Sequence, residues 1–458
     1  MDEFYEQGED LFRQMLKQKK QEKTKIKERV LVAPLIPTEE ETKIVKRITE
    51  DVTKGLREDI AQKGLTPEIQ SRVAQLVTDE IEKSGVSDYE TKRRIERIAT
   101  NNMVGLGPIE QYMEDADITE IVVQRYDNIC IERKGKIETV SASFTSEDHL
   151  KTVINRIVQD VGRQVNLCTP IVDARLANGA RVNATIPPVT PDGATLCIRK
   201  FPEKAFTIDD FLRFGSLDQN IANFLAACVR GKITVIVSGG TSTGKTTLLN
   251  VLSGFIPKDE LIVTIEDSCE LRLEQPNVRR METRESVQEG MMPVTTQALV
   301  KNALRMRPDR LIVGEIRDKT IVDMISAMST GHEGSLSTVH ANNPANLVNV
   351  RMPILFSMHE TMAFSEESQA MQIVQALDLI VQIERLPSGK RVLTHITHVN
   401  GLDTQKRVKL VDIFQYDRKN ERFCATGYVP SELVQRLAMR GIPLPENMFV
   451  KKEDLPND

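Results

Sequence analysis

Tryptophan is absent from this chain, and aromatic residues make up only 4% of it. A surface that stacks successive bases or sugar rings needs aromatic platforms, so the composition argues against that class of binder. No charge of one sign dominates: 61 Lys and Arg stand against 66 Asp and Glu, a net charge of −5. No global field therefore draws the chain to DNA or to anionic lipid. No stretch approaches the roughly 20 apolar residues of a membrane span. The acidic start MDEFYEQGEDLF lacks the apolar centre of a signal peptide. The six cysteines (Cys130, Cys168, Cys197, Cys228, Cys269 and Cys424) include no C-x-x-C pair, which removes the common zinc and redox motifs. A scattered set of this kind reads as reduced and mostly buried. The expectation is a cytoplasmic protein that reaches a membrane only through a partner.

What is present is an ordinary globular composition, 40% hydrophobic and 28% charged, over 458 residues. That length exceeds one compact core and predicts two or three domains. Residues 1–100 read as a helical region. Ile44, Val45, Ile48 and Val52 recur at helical spacing, and Val73, Leu76, Val77 and Ile81 repeat the pattern. The polarity around these stripes suggests a solvated helical arm, led by the basic run KQKKQEKTKIKER as a second candidate for docking. Residues 101–205 read as a small α+β domain, with strands at Ile118–Val123, Asn128–Arg133, Ile137–Val140, Arg181–Ile186 and Ala194–Phe201 and a helix at Ser146–Val161. Residues 206–216 read as a linker. From 217 to 458 the order becomes strand, helix, strand, helix. Ile233–Ser238, Leu261–Glu266, Arg310–Glu315 and Leu336–His340 are apolar, as buried parallel strands are. Three further strands follow at Leu377–Glu384, Arg391–Val399 and Val408–Phe414. The fold class is α/β: a doubly wound P-loop domain preceded by a small α+β domain and a helical region.

The segment Gly239-Gly240-Thr241-Ser242-Thr243-Gly244-Lys245-Thr246 fits G-x-x-x-x-G-K-[ST], and Thr247 continues it. An apolar strand leads in and a helical run leads out. Gly239 and Gly244 permit torsions that a side chain would block. Backbone N–H groups can then face phosphate, aided by the positive end of the helix. Lys245 supplies a point charge to the outer phosphates, and Thr246 an oxygen for Mg²⁺. The chain is therefore expected to bind ATP with Mg²⁺.

Glu266, Asp267 and Glu270 follow the second strand of this domain, at the sheet edge where open α/β folds bind ligands. Arg307–Asp318 (RPDRLIVGEIRD) carries a strand that ends in Glu315. An acid at the end of a strand beside the P-loop is the usual second half of a nucleotide site. Glu315 reaches far enough to polarise water and is the first candidate for the catalytic carboxylate, with Glu266 and Glu270 as competitors. Thr330–Asn342 (TGHEGSLSTVHAN) contains His332 and His340 with no Cys or third His nearby, which is a poor zinc set. Both read as sensors that gain or lose a hydrogen bond with bound nucleotide.

GGTSTGKTT, TIEDSCEL, RPDRLIVGEIRD and TGHEGSLSTVHANNP resemble, in order and spacing, the Walker A, Asp, Walker B and His boxes of the type II/type IV secretion ATPase superfamily. GLGPIE at 105–110, ITEIVVQRYDNICIERKGKIE, DARLANGARVNATIPP and CIRKF resemble the CpaF-type branch, the ATPases of tight-adherence (Flp-like) pilus assembly. The likeness spans about residues 100–415, and the C-x-x-C pairs of the general-secretion branch are missing. It implies a PAS-like small domain, a homo-hexamer, an inner-membrane platform protein as partner, and two phosphate-facing arginines. Those arginines match Arg181 and Arg199 by motif position, with Arg175 a third candidate. Two other readings compete: a RecA-like nucleic-acid motor, and a nucleotide switch without turnover. The acidic net charge and the lack of a basic stripe weigh against the first. Glu315 and the arginines weigh against the second.

Overall fold

The computed structural model describes residues 35–63, 66–133, 135–176, 178–201, 205–284, 292–359 and 364–451. The chain divides into two compact units, Met1–Pro202 and Glu203–Asp458.

In the first unit, helices span Glu39–Lys63, Pro67–Lys83 and Tyr89–Met103. Thr66 and Asp88 cap the second and third, accepting from the backbone N–H groups of Ile69 and Thr91. Their apolar stripes close on one another: Val45, Ile48, Val52, Val73, Val77 and Ile95 are buried in one cluster. The expected solvated arm is thus corrected to a packed three-helix bundle over its described part. The basic run KQKKQEKTKIKER lies outside the described residues.

The rest of this unit is an antiparallel sheet of β1 (Ile118–Arg125), β2 (Asn128–Arg133), β3 (Lys136–Val140), β4 (Ile171–Arg175), β5 (Arg181–Thr185) and β6 (Thr195–Arg199). Its order is β3-β2-β1-β6-β5-β4. The helix Glu147–Gln159 buries Leu150, Val153, Ile154 and Ile157 in the same cluster as Ile121, Ile129 and Ile198 of the sheet. Residues 101–103 still belong to the third helix of the bundle.

The second unit holds a nine-stranded sheet ordered β15-β14-β13-β12-β7-β11-β10-β8-β9. These strands are β7 (Val235–Gly239), β8 (Ile262–Glu266), β9 (Val278–Glu282), β10 (Arg310–Ile316), β11 (Leu336–His340), β12 (Leu379–Arg385), β13 (Arg391–Leu402), β14 (Val408–Asp417) and β15 (Arg422–Ala425). β12 through β9 run parallel, and β13 to β15 add an antiparallel wing. Every residue of β7 and β8 is buried. Helices Gln219–Arg230 and Lys245–Ser253 contribute to one core cluster, and Thr296–Ala303 and Thr320–Ser329 to another. Helices on both faces of a parallel sheet make the RecA-like, doubly wound α/β architecture.

Residues 206–216, expected as a linker, are folded here. They form the helix Ile208–Arg213 with a Thr207–Asp210 capping box, and Ser216 accepts from the Leu393 N–H at 2.9 Å. Cys130 and Cys228 are buried, Cys168 is exposed and the other three cysteines are half-buried. Fewer are buried than composition suggests. Among the described residues no helix is long and apolar enough to cross a membrane.

Arg310 opens β10 with no exposure at all. Its Nε and Nη2 bond the Glu260 carboxylate, and Nη1 donates to the Gly334 carbonyl at 3.0 Å. Gly334 has φ +75, and a Cβ there would lie 2.1 Å from Arg310 Nη1 and 2.7 Å from the Lys232 backbone. A buried cation survives only with its partners. Glu260→Ala strips the carboxylate from Arg310 and is expected to lower the unfolding free energy by about 3 kcal/mol. Urea denaturation of the full chain measures it, and wild-type stability would show that the pair contributes nothing.

Candidate active site

The P-loop follows from the strand before it. β7 is flanked by β11 and β12, and the parallel registers pair Gly239 with His340 on one side and with Ile383 on the other. A Cβ on Gly239 would stand 2.4 Å from the Ile383 carbonyl oxygen and 2.7 Å from Thr243 Oγ1. Only glycine fits where the strands come this close. The chain then turns through Ser242 (φ 56) and Gly244 (φ +97) into the helix Lys245–Ser253. Thr241 and Ser242 are exposed, and Thr243 is buried with its hydroxyl donating to the Gly240 carbonyl at 3.0 Å. Lys245 Nζ donates to the same carbonyl at 2.8 Å. Thr246 and Thr247 lie in the first turn of the helix, where backbone N–H groups lack intrahelical partners. A cradle closed to side chains at Gly239, with a lysine and a hydroxyl at its rim, fits a triphosphate and a hard cation.

The acidic groups stand beyond β11. Glu266 ends β8 and is 3% exposed. Its Oε2 accepts from the Glu270 and Leu271 N–H groups at 2.7 and 2.9 Å, while Oε1 is buried with no hydrogen-bond partner. Burial pushes this carboxyl above its ordinary range. The two backbone N–H groups oppose that shift and the Glu270 charge adds to it. Gly314 of β10 makes room for it, since a Cβ there would lie 3.1 Å from Glu266 Cγ. Glu315, the next residue, accepts from Arg317 Nη2 at 2.5 Å, and Arg317 Nη1 lies 3.6 Å from Asp267 Oδ2. The hydrogen bond to Glu315 is the largest cause that raises the Arg317 guanidinium.

His340 ends β11 between these groups. Burial and the nearby Lys245 cation push its imidazole below the ordinary range, with Arg351 and Arg317 adding and Glu315 opposing. Lys245, Glu315, Arg317 and His340 therefore share one electrostatic neighbourhood at the carboxyl ends of the strands. Ser337 and Thr338 bond their hydroxyls to the Val313 and Gly314 carbonyls at 2.8 and 2.7 Å, locking β11 against β10.

His332 is not in this group. It lies in the turn before β11, at the sheet edge that also holds Gly334 and Arg310, with Nδ1 3.3 Å from the Ala327 carbonyl. A five-residue strand separates it from His340. The sequence motif joins two histidines that the fold sends to opposite edges. Arg181 and Arg199 belong to the first unit, where they are direct cross-strand partners on β5 and β6. Arg175 pairs with Arg181 from β4, so three arginines stand in one row. On the other side Arg199 faces Glu120 of β1, so the row ends in a carboxylate.

Sequence reasoning passed over two arginines. Arg317 sits in the quoted box GEIRD, two residues after Glu315, and that spacing was the available signal. Arg391, at the start of β13, donates to the Ser242 carbonyl at 3.2 Å, and its Cδ lies 3.4 Å from where a Gly244 Cβ would be. Nothing local marks it.

Residues 102–429 match the profile of the family described as type II/IV secretion system protein. The chain belongs to that family. It is 30% identical over 328 residues to Rv3659c of Mycobacterium tuberculosis, a protein named for conjugal transfer, covering 70% of this chain and 92% of the relative. It is 29% identical over 326 residues to the type IV secretion system protein VirB11 of Bartonella quintana, covering 64% and 91%. The pilus retraction motor PilT with bound ADP aligns over 74% of this chain and 90% of its own, at a TM-score of 0.46 and 19% identity.

The Glu266 environment carries a pH signature. A carboxyl raised above its ordinary 4.5 binds its proton more tightly in the folded state than in the unfolded chain. The stability it contributes is complete below that ordinary value and is lost as pH rises through the raised one. Unfolding free energies of wild type and Glu266→Gln, measured from about pH 4 to about pH 8, should diverge against the wild type as pH rises. Parallel curves would count against the raised value.

Proposed function

We propose that this secretion-family chain is an ATP-hydrolysing motor. The observation that carries the reading is the meeting of Lys245, His340, Glu315 and Arg317 around the P-loop edge of one sheet. In this reading Gly239, Gly240, Thr241, Ser242, Thr243 and Gly244 wrap the phosphates with backbone N–H groups. Lys245 carries the opposing charge, and Thr246, with Thr247 behind it, offers its hydroxyl to Mg²⁺. Mg²⁺, when bound, neutralises charge on the outer phosphates. Glu315, its direction fixed by Arg317, orients the attacking water. Glu266 and Glu270 shape the loop beside it, and His340 reports the outer phosphate through a hydrogen bond. His332, on the other edge, takes no part in this site.

Arg181 and Arg199, with Arg175 beside them, supply the phosphate-facing cations of the small domain. Arginines in that role stabilise the charge of phosphoryl transfer. A site completed by a second domain is suited to convert loss of the outer phosphate into domain rotation. We assign the working form as a homo-hexamer at the inner face of the cell membrane, driving an inner-membrane platform protein of a pilus or secretion machine. Its place is in the CpaF-type branch, and no direct nucleic-acid partner is expected. The kinship with proteins named for conjugal transfer and type IV secretion supports this class of work.

Lys245→Ala and Glu315→Gln should each reduce ATPase activity by at least about a hundredfold while circular dichroism stays that of the wild type. Phosphate release at saturating ATP·Mg²⁺ measures it. Near-normal turnover in either variant would sink the assignment of roles.

A further inference from the structure

Gln382 stands on β12 among Leu379, Ile380, Val381 and Ile383, and like them it is fully buried. An amide in such a place costs free energy unless its hydrogen bonds are met. Its Nε2 donates to the Asn342 carbonyl at 3.0 Å and to the Ala341 carbonyl at 3.3 Å. Its Oε1 has no hydrogen-bond partner among the described residues. An apolar side chain would fill the position without that cost, so packing does not account for a glutamine here.

The two carbonyls belong to the residues that follow His340. β12 and β11 are not neighbours, for β7 lies between them. Ser238 of β7 is paired with Gln382 on one flank and with Val339 on the other. The bond therefore passes over β7 at Ser238, one residue before the P-loop. Ser238 is fully buried, and its hydroxyl has no hydrogen-bond partner among the described residues. What the crossing takes from this serine is its small size rather than a hydrogen bond.

His340 is paired in register with Gly239 at the P-loop. The next residue, Ala341, already lies in the core cluster that holds Ile236 and Ile380. Asn343 then caps the following turn, accepting from the Asn346 N–H at 2.7 Å. The chain is thus held immediately after the histidine. All of these residues belong to the second unit.

We propose that Gln382 is the positioning residue of His340: by bridging β7 to hold the chain that leaves the histidine, it keeps the imidazole beside the P-loop for the outer phosphate. The inference rests on the reading of His340 given above and adds what aims it. A misplacement of about 1 Å can cost about a hundredfold in rate. Gln382 acts through His340 and not on the nucleotide, so its loss belongs in kcat rather than in KM.

The test is a double-mutant cycle on the full chain, read as steady-state ATP hydrolysis, with calorimetric ADP binding as the check that the P-loop is intact. Gln382→Met, close in length but without the amide, should lower kcat roughly tenfold to a hundredfold and leave KM and ADP binding as in the wild type. In a His340→Ala background the same substitution should cost nothing further, because residues that act as a unit are not additive. A merely structural glutamine would add its loss in both backgrounds. Ser238→Val, which places bulk under the crossing, should reproduce the effect and its dependence on His340, while Ser238→Ala should turn over as the wild type does. This pair carries the test if Gln382→Met does not fold. Wild-type kcat in Gln382→Met or Ser238→Val, or an equal further loss in the double variant, overturns the proposal and leaves the role of His340 standing. Wild-type turnover in His340→Ala overturns both.

Discussion

The missing side chain at Gly239 is the constraint on which the rest of the second unit depends. The strand that delivers the P-loop is squeezed between β11 and β12, and at its last residue the backbone of β12 passes too close for a Cβ. That contact sets both registers at once, placing His340 and Ile383 on either side of the same glycine. Because β7 is buried throughout, a slip along the strand would cost core contacts as well as register. The phosphate cradle is thus fixed by the strand pairing beneath it more than by the loop's own residues.

From that crossing the sheet distributes its chemistry unequally. Carboxylates stand at the ends of β8 and β10, while the Arg391 cation stands at the start of β13. The two main acids have distinct surroundings. Glu266 is withdrawn from solvent and bound to backbone N–H groups, whereas Glu315 is partly open and bound to a guanidinium. Different environments for neighbouring carboxylates are how one site holds two functions. His340 stands between Lys245 and Glu315, where a second positive charge is unfavourable.

Legibility in the sequence followed locality. The P-loop, its entry strand and the strands bearing Glu266, Glu315 and His340 are contiguous apolar runs ending in polar residues, and each could be located to within about two residues. The strands that went unread, β4, β9 and β15, are all at sheet edges. β9 shows the reason: in VRRME no residue is buried, so no apolar period announces it. The bundle at Glu39–Met103 shows a different limit. Periodicity marked the buried stripes of two of its helices, but a period within one helix does not say which stripes close on one another. Arg391 was illegible for a third reason: it comes to the P-loop side by tertiary pairing of distant segments. His332 and His340 share a motif, and the motif does not say that a whole strand runs between them.

Arg310 gives β11 a mechanical property. One end of that strand carries His340. The other begins two residues after Gly334, whose carbonyl is held by a guanidinium that is itself sealed from water. Sliding β11 along its axis would expose or unpair that buried charge, so the strand behaves as a stay anchored at its far end. A pull on β11 from its His340 end is therefore resisted at Gly334, a strand's length away. Tethered at Gly334 and bonded through Ser337 and Thr338 to β10, the strand carries its histidine on a fixed mount.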